Sequence, residues 1–220
     1  MKKLTQYKLI IWDLDGTLYY QKPFRKKMIE VILKELVFKP SRWKEARVIL
    51  CYRRLREKWD PSDSEEDLEM RQYAACGAKC GLMKEQIKEI VTFWMHEAPL
   101  KYLKAYRDEE AALLIGRLRK KGILNVVYSD YPTKDKLRAL EIVVDGQYCS
   151  ADPDISSMKP NPKGIQVILK KLKIKAEDTL MIGDRIEKDA EAAKAAGVDY
   201  LILSRGQKER QQCYSIHCNS

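Results

Sequence analysis

The chain has 220 residues, long enough for one large domain or for one domain carrying an insertion. With 34% charged and 45% apolar residues it reads as soluble and globular rather than disordered, and no run of about 18 apolar residues offers a membrane span. The net charge of +10 is uneven: residues 21–59 hold 13 Lys/Arg against 4 Asp/Glu, whereas DPSDSEEDLE at 60–69 has six acids and no base.

The N-terminal MKKLTQYKLIIWDLDG starts basic, but its apolar stretch is short and lacks a small-residue cleavage site, which argues against a signal peptide. Leu9 to Trp12 has the composition of a buried strand. It runs directly into Asp13 and Asp15, followed by Gly16 and Thr17. Carboxylates that close repel, and a buried one is costly without a partner or cation. Either these acids decorate a turn or they hold a metal.

From Pro23 to about Tyr106 the pattern is helical. FRKKMIEVILKELVF (24–38), RWKEARVILCYRRLREKW (42–59), SDSEEDLEMRQYAACGAKC (62–80) and KEQIKEIVTFWMHEA (84–98) place apolar residues three and four apart. Ser62-x-x-Glu65 has the form of a capping box. This block, residues 20–106, is expected to be an inserted helical domain. His96, beside Trp94, reads as a packing or surface residue.

Beyond it the texture changes. DEEAALLIGRLRKKG (108–122) is a helix with acids at its start and bases at its end. Strands are expected at 123–129, near 142–144, at 179–184 and at 199–204, with helices near 133–140, at 161–174 and at 186–197. Apolar strands alternating with helices predict an α/β fold: a doubly wound parallel sheet, Rossmann-like, formed by residues 1–19 and 107–206. The last stretch, QKERQQCYSIHCNS (207–220), reads as a polar C-terminal tail.

Six cysteines in a chain this long do not make a disulfide scaffold, and a reduced, cytoplasmic setting fits them better. Neither Cys76-x3-Cys80 nor Cys213 with His217 and Cys218 has the usual zinc-ligand spacing.

In an open parallel sheet, ligands bind beyond the carboxyl ends of the strands. Those ends carry Asp13 and Asp15, Ser129 and Asp130, Lys159 ahead of Pro160-Asn161-Pro162, and Asp184 with Asp189 five residues on. Several carboxylates without histidine or thiolate favour a hard cation with oxygen ligands, hence Mg2+. Lys159, the Ser129 hydroxyl and backbone N–H groups at the Gly16 turn are donors for phosphate oxygens. The chemistry that fits is phosphoryl transfer to a carboxylate nucleophile. Two unit charges about 4 Å apart repel by roughly 4 kcal/mol at an effective dielectric near 20, so a phosphate reaches an ionised aspartate only when a cation and a lysine offset that repulsion.

DLDGT, the strand-end Ser129, Lys159 in KPNP and GDRIEKD, in that order, resemble the four motifs of the haloacid dehalogenase-like hydrolase superfamily. The likeness covers residues 9–204. It implies a helical cap inserted after the first motif, where 20–106 lies. It also implies a hydrolase of phosphoric monoesters, because the dehalogenase branch lacks the second aspartate; no DKTG stretch is present, which excludes an ion-pumping ATPase. By this resemblance Asp13 is the nucleophile and Asp15 the general acid and base, with its backbone carbonyl on Mg2+. Ser129 and Lys159 hold the phosphoryl group, Asp184 ligates Mg2+, and Asp189 binds it through water or orients Lys159. Gly16, Thr17, Asp130 and Tyr19 are expected around the substrate. The departures are Trp12 for a more usual Phe, Asp130 for Asn, and Tyr19-Tyr20 leading toward the cap.

The resulting expectation is a Mg2+-dependent phosphatase for a small phosphorylated metabolite, a monomer or homodimer with no membrane partner. Its basic helical segment would draw in an anionic substrate. A phosphomutase or phosphotransferase would use the same residues. A non-catalytic regulatory or nucleic-acid-binding relative is the reading from another class. Against it, every catalytic position is filled and no basic motif is interleaved with aromatics.

Overall fold

The computed structural model describes residues 2–59, 67–204 and 206–219, the last five without their side chains. Ser62 and Glu65 of the expected capping box, and the side chains of His217 and Cys218, lie outside the described residues. The chain divides into two compact units: Met1–Gln21 with Leu103–Ser220, and Lys22–Tyr102. Among the described residues no helix is long and apolar enough to cross a membrane.

Strand β1 (Leu9–Trp12) is buried along its whole length. After it come helices α1 (Gln21–Phe38), α2 (Trp43–Glu57), α3 (Leu68–Cys80) and α4 (Lys84–Val91), then a wider π-type turn over Thr92–Glu97 and the short α5 (Leu100–Leu103). The Asp67 side chain caps α3 by accepting from the N–H groups of Glu69 and Met70. Gly81 closes that helix at φ 69°, a left-handed conformation that costs glycine little. Val48, Tyr52 and Leu55 of α2 bury themselves against Tyr73 and Cys76 of α3 and Ile87 and Val91 of α4.

The second passage through the sheet unit alternates as its apolar periods demand. It runs α6 (Glu109–Lys120), β2 (Leu124–Ser129), α7 (Lys134–Leu140), β3 (Gly146–Cys149), α8 (Lys163–Leu172), β4 (Thr179–Gly183), a π-type turn over Ile186–Ala190, α9 (Glu191–Ala195), β5 (Asp199–Ile202) and α10 (Gln207–Asn219). The five strands form one parallel sheet in the order β3-β2-β1-β4-β5. This is the doubly wound α/β architecture. Leu9, Ile11, Val126, Tyr128 and Met181 share one core with Ile165 and Ile168 of α8 and Ala192 and Ala193 of α9. Trp12 is fully buried, and its indole N–H donates to Asn125 Oδ1 at 2.9 Å, so the large ring carries no unsatisfied donor into the core.

Two elements depart from expectation. The third strand lies at 146–149 rather than near 142–144, because Asp145 turns the chain into the sheet. Its N–H donates to Asn125 O and its Oδ2 accepts from Asn125 N, both at 2.8 Å, and pairing starts only at the next residue. Residues 207–219 form a helix instead of a loose tail. Arg210 and Tyr214 are buried on it, a packing face that the polar composition conceals.

Candidate active site

Register places the site. Trp12 is opposite Val127 of β2 and Ile182 of β4, so Asp13, Ser129 and Asp184 all emerge at the same carboxyl edge. Asp13 leaves β1 still tied to the sheet, its N–H donating to Ile182 O at 2.8 Å. Its Oδ2 accepts from the Thr17 hydroxyl at 3.0 Å and its Oδ1 from Lys159 Nζ at 2.6 Å. Lys159 Nζ also donates to Asp189 Oδ1 at 2.6 Å. The other Asp189 oxygen accepts from the N–H groups of Asp184 and Arg185 at 3.2 and 3.0 Å.

Asp13, Asp184 and Asp189 each have a carboxylate oxygen within 4.8 Å of the others. Three carboxylates face one ammonium there, which leaves two negative charges. Asp184 Oδ1 is buried and has no hydrogen-bond partner among the described residues. A divalent, oxygen-seeking cation fits both the excess charge and the orphaned oxygen. Burial pushes the Asp13 carboxyl well up; Lys159 pulls it down, and Asp189 and Asp184 push it up again. Burial drives Asp184 up as well, with Asp189 adding to it. Lys159 itself is held well above the ordinary lysine range, since the attraction of Asp13, Asp189 and Asp130 outweighs its burial. The ammonium therefore keeps its proton, and the strain of like charge falls on the carboxylates.

Asp15 has other company. Lys136 Nζ donates to its two oxygens at 2.6 and 2.9 Å, the Tyr19 hydroxyl donates to Oδ1, and the Ser129 hydroxyl donates to Oδ2 at 3.3 Å. Burial alone would raise this carboxyl, but Lys136 and Tyr19 outweigh it and hold it below the usual carboxylate range. The Asp15 side chain is not among the three that cluster for a cation. Asp130 supports the other side: its Oδ1 accepts from the Lys159 N–H at 3.0 Å and its Oδ2 from Lys188 Nζ at 3.3 Å.

Glycine is required at two points of this edge. Gly16 has φ 103°, and a Cβ there would collide with the Asp184 carboxylate. A Cβ on Gly183 would strike the Asp189 carboxylate.

All the residues expected at the site thus fall into two adjoining groups. Asp13, Thr17, Lys159, Asp184 and Asp189 form one, joined by Asp130, and Asp15, Tyr19 and Ser129 form the other, with Gly16 in the turn between. Sequence reasoning missed Lys136, Lys188 and Arg210. Lys136 stands two residues into α7, seven after Ser129, and only its position in a helix that opens beside the strand end could have marked it. Lys188 sits inside GDRIEKD. Arg210 comes from α10: its guanidinium donates to Gly16 O, to Thr17 O at 3.0 Å, to Asp108 Oδ2 at 3.1 Å and to Ser204 O at 2.7 Å. A buried arginine with a full set of acceptors thereby pins the turn that follows both aspartates. The helical spacing of Arg210 and Tyr214 was its one sequence signal.

Fold and site together define a hydrolase of the α/β class, with a paired-aspartate turn and a candidate cation cluster at the sheet's carboxyl edge. Residues 7–197 match the haloacid dehalogenase-like hydrolase family, and the chain belongs to it. A glyceraldehyde 3-phosphate phosphatase of Methanopyrus kandleri is 32% identical over 114 residues, which is 50% of this chain; the chain spans 48% of that relative's length. Among solved structures, HAD-hydrolase YfnB from Bacillus subtilis, described as bound to magnesium, superposes with a TM-score of 0.64 at 14% identity, covering 96% of this chain and 99% of that one. A 2-haloacid dehalogenase from Pseudomonas syringae pv. Tomato DC3000 gives 0.62 at 19% identity, with coverages of 90% and 86%. At such identities these two likenesses speak for the fold alone.

Proposed function

We propose that this hydrolase is a Mg2+-dependent phosphatase that removes phosphate from a small phosphorylated metabolite through an aspartyl-phosphate at Asp13. The observation that carries the reading is the pair of aspartates held in unlike surroundings: Asp13 in the candidate cation cluster with Lys159, Asp15 on Lys136, Tyr19 and Ser129. A dehalogenase needs only the first acid, and the second has no task there.

In the first step an Asp13 oxygen forms a bond to phosphorus while the bond to the leaving oxygen breaks, and Asp15 gives that oxygen a proton. In the second, Asp15 takes a proton from water as it attacks phosphorus, and the Asp13 carboxylate is released. Thr17 and Lys159 fix the two Asp13 oxygens, so the nucleophile needs little reorganisation. Asp184 and Asp13 would hold Mg2+, with Asp189 chiefly orienting Lys159 and the Asp184 N–H, and the bound ion would neutralise charge on the transferring group. Lys136 holds Asp15 ionised, which suits the second step. An arriving phosphate dianion favours the protonated form needed for the first, through like-charge repulsion and by competing for the Lys136 ammonium.

The helical unit would act as the cap that selects the leaving group, and the cytoplasm, as a monomer or homodimer, is the setting we assign. The named activity of the archaeal relative makes triose phosphates the first substrates to try. The test is phosphate release from triose phosphates, other sugar phosphates, nucleotides and phosphoglycolate, with Mg2+ and after chelation. Release that depends on Mg2+ supports the reading. Phosphoryl transfer to an added sugar without free phosphate would instead identify a phosphotransferase, and inertness toward every ester would remove the proposal.

A further inference from the structure

The helical unit contains a second cluster of potential ligands, with sulfur in place of oxygen. Cys76 and Cys80 lie four residues apart on one face of α3, and Cys51 of α2 faces them. Their three sulfurs all lie within 4.8 Å of one another. Cys76 is fully buried, its thiol directed at Val48 O at 3.9 Å; Cys51 and Cys80 are half-buried. No carboxylate or imidazole belongs to the group.

We propose that Cys51, Cys76 and Cys80 form a binding site for one thiophilic cation of the closed-shell d10 type, separate from the oxygen site at the sheet edge. Metal–sulfur bonds of about 2.3 Å put the thiolates of one tetrahedron about 3.8 Å apart. The mutual limit of 4.8 Å on the three sulfurs exceeds that spacing by about 1 Å. Thiolate ligands select a soft ion, and Mg2+ has no affinity for them, so the two sites sort their metals by chemistry alone. Binding breaks three S–H bonds, forms three S–metal bonds and releases three protons to solvent, with no change of oxidation state. Water or a further donor completes a four-coordinate shell.

Charge supports this assignment. Three thiolates around a divalent ion leave one negative charge. The surrounding segment, 21–59, carries 13 basic residues against 4 acids. A bound cation would deprotonate the buried thiols outright and tie α2 to α3 across the core of this unit.

The experiment uses Cd2+ as the probe, added to the full-length, reduced protein without oxygen and in excess Mg2+, so that the carboxylate site does not compete. The expected result is a thiolate-to-metal charge-transfer band saturating at one equivalent per chain, protection of three of the six thiols from alkylation, and a higher Tm. Cys51→Ser and Cys80→Ser should each weaken binding at least about tenfold, while Cys149→Ser leaves it unchanged. Because Cys76 is fully buried, its replacement risks the fold, and the two half-buried positions carry the test. Three results would overturn the proposal: no band at one equivalent, affinity in both half-buried variants equal to the parent's, or a band lost in Cys213→Ser/Cys218→Ser but kept in Cys51→Ser.

Discussion

Asp13 and Asp15 are two residues apart, yet they end in opposite surroundings. Asp13 joins Asp184 and Asp189 around a single ammonium, where negative charge is in excess. Asp15 meets one ammonium and two hydroxyls, where charge is balanced. Neighbouring carboxylates in unlike environments can take different tasks: Asp13 lies in the group that would hold a cation, and Asp15 lies outside it, bound by proton-bearing side chains. Here the difference is produced by what each side chain reaches: the charged neighbours of Asp13 come from the segment that follows β4 and the loop before α8, those of Asp15 from α7, with hydroxyls from the end of β2 and from Tyr19.

The comparison can be broken at either end. Asp13→Asn should cost about 10^4-fold or more in kcat, because the amide cannot form the aspartyl-phosphate. Asp15→Asn should lower kcat/KM, which reports the first step, about 10^2–10^4-fold with an alkyl phosphate and much less with a nitrophenyl phosphate, whose leaving group needs no proton. Equal losses on both substrates would contradict the role given to Asp15. Steady-state rates on the two esters measure this directly.

Arg210 holds the turn that keeps the two environments apart. Arg210→Ala leaves buried Asp108 without its guanidinium and strips donors from Gly16 O and Thr17 O. Breaking a buried pair costs about 3–5 kcal/mol, so urea unfolding should show a loss of that size, with kcat falling alongside. A variant as stable and as active as the parent would show the clamp to be incidental.

Lys136→Met sharpens the comparison with the smallest effect. Burial raises the Asp15 carboxyl and Lys136 is the foremost group lowering it, so removing the ammonium moves that pKa upward. The limb of the kcat/KM profile that reports Asp15 should then shift to higher pH. An unmoved limb would mean that another group governs the pH dependence.

Much of this was legible in the sequence for a physical reason. Buried parallel strands must be continuous apolar runs, so the polar residue that ends each run marks the sheet edge, as at Asp13, Ser129 and Asp184. Boundaries failed where one hydrogen-bonded side chain decides them: Asp145 delays β3 by a few residues. The long-range partners were the least legible. Lys136 meets Asp15 across 121 positions and Arg210 meets Gly16 across 194, and neither has a local pattern that distinguishes it from the many surface cations around it. The thiol cluster was hidden similarly, because the spacing of Cys76 and Cys80 fits no usual zinc motif and the third sulfur arrives from a different helix.

The most direct test is to mix the enzyme briefly with a hydrolysable phosphomonoester and Mg2+, quench in acid and map the phosphoryl group by peptide mass spectrometry. The account predicts an acid-stable, base-labile phosphoryl on Asp13, absent from Asp13→Asn and accumulating in Asp15→Asn. Rapid phosphate release with no phosphorylated peptide, or with the group on any other residue, would contradict it.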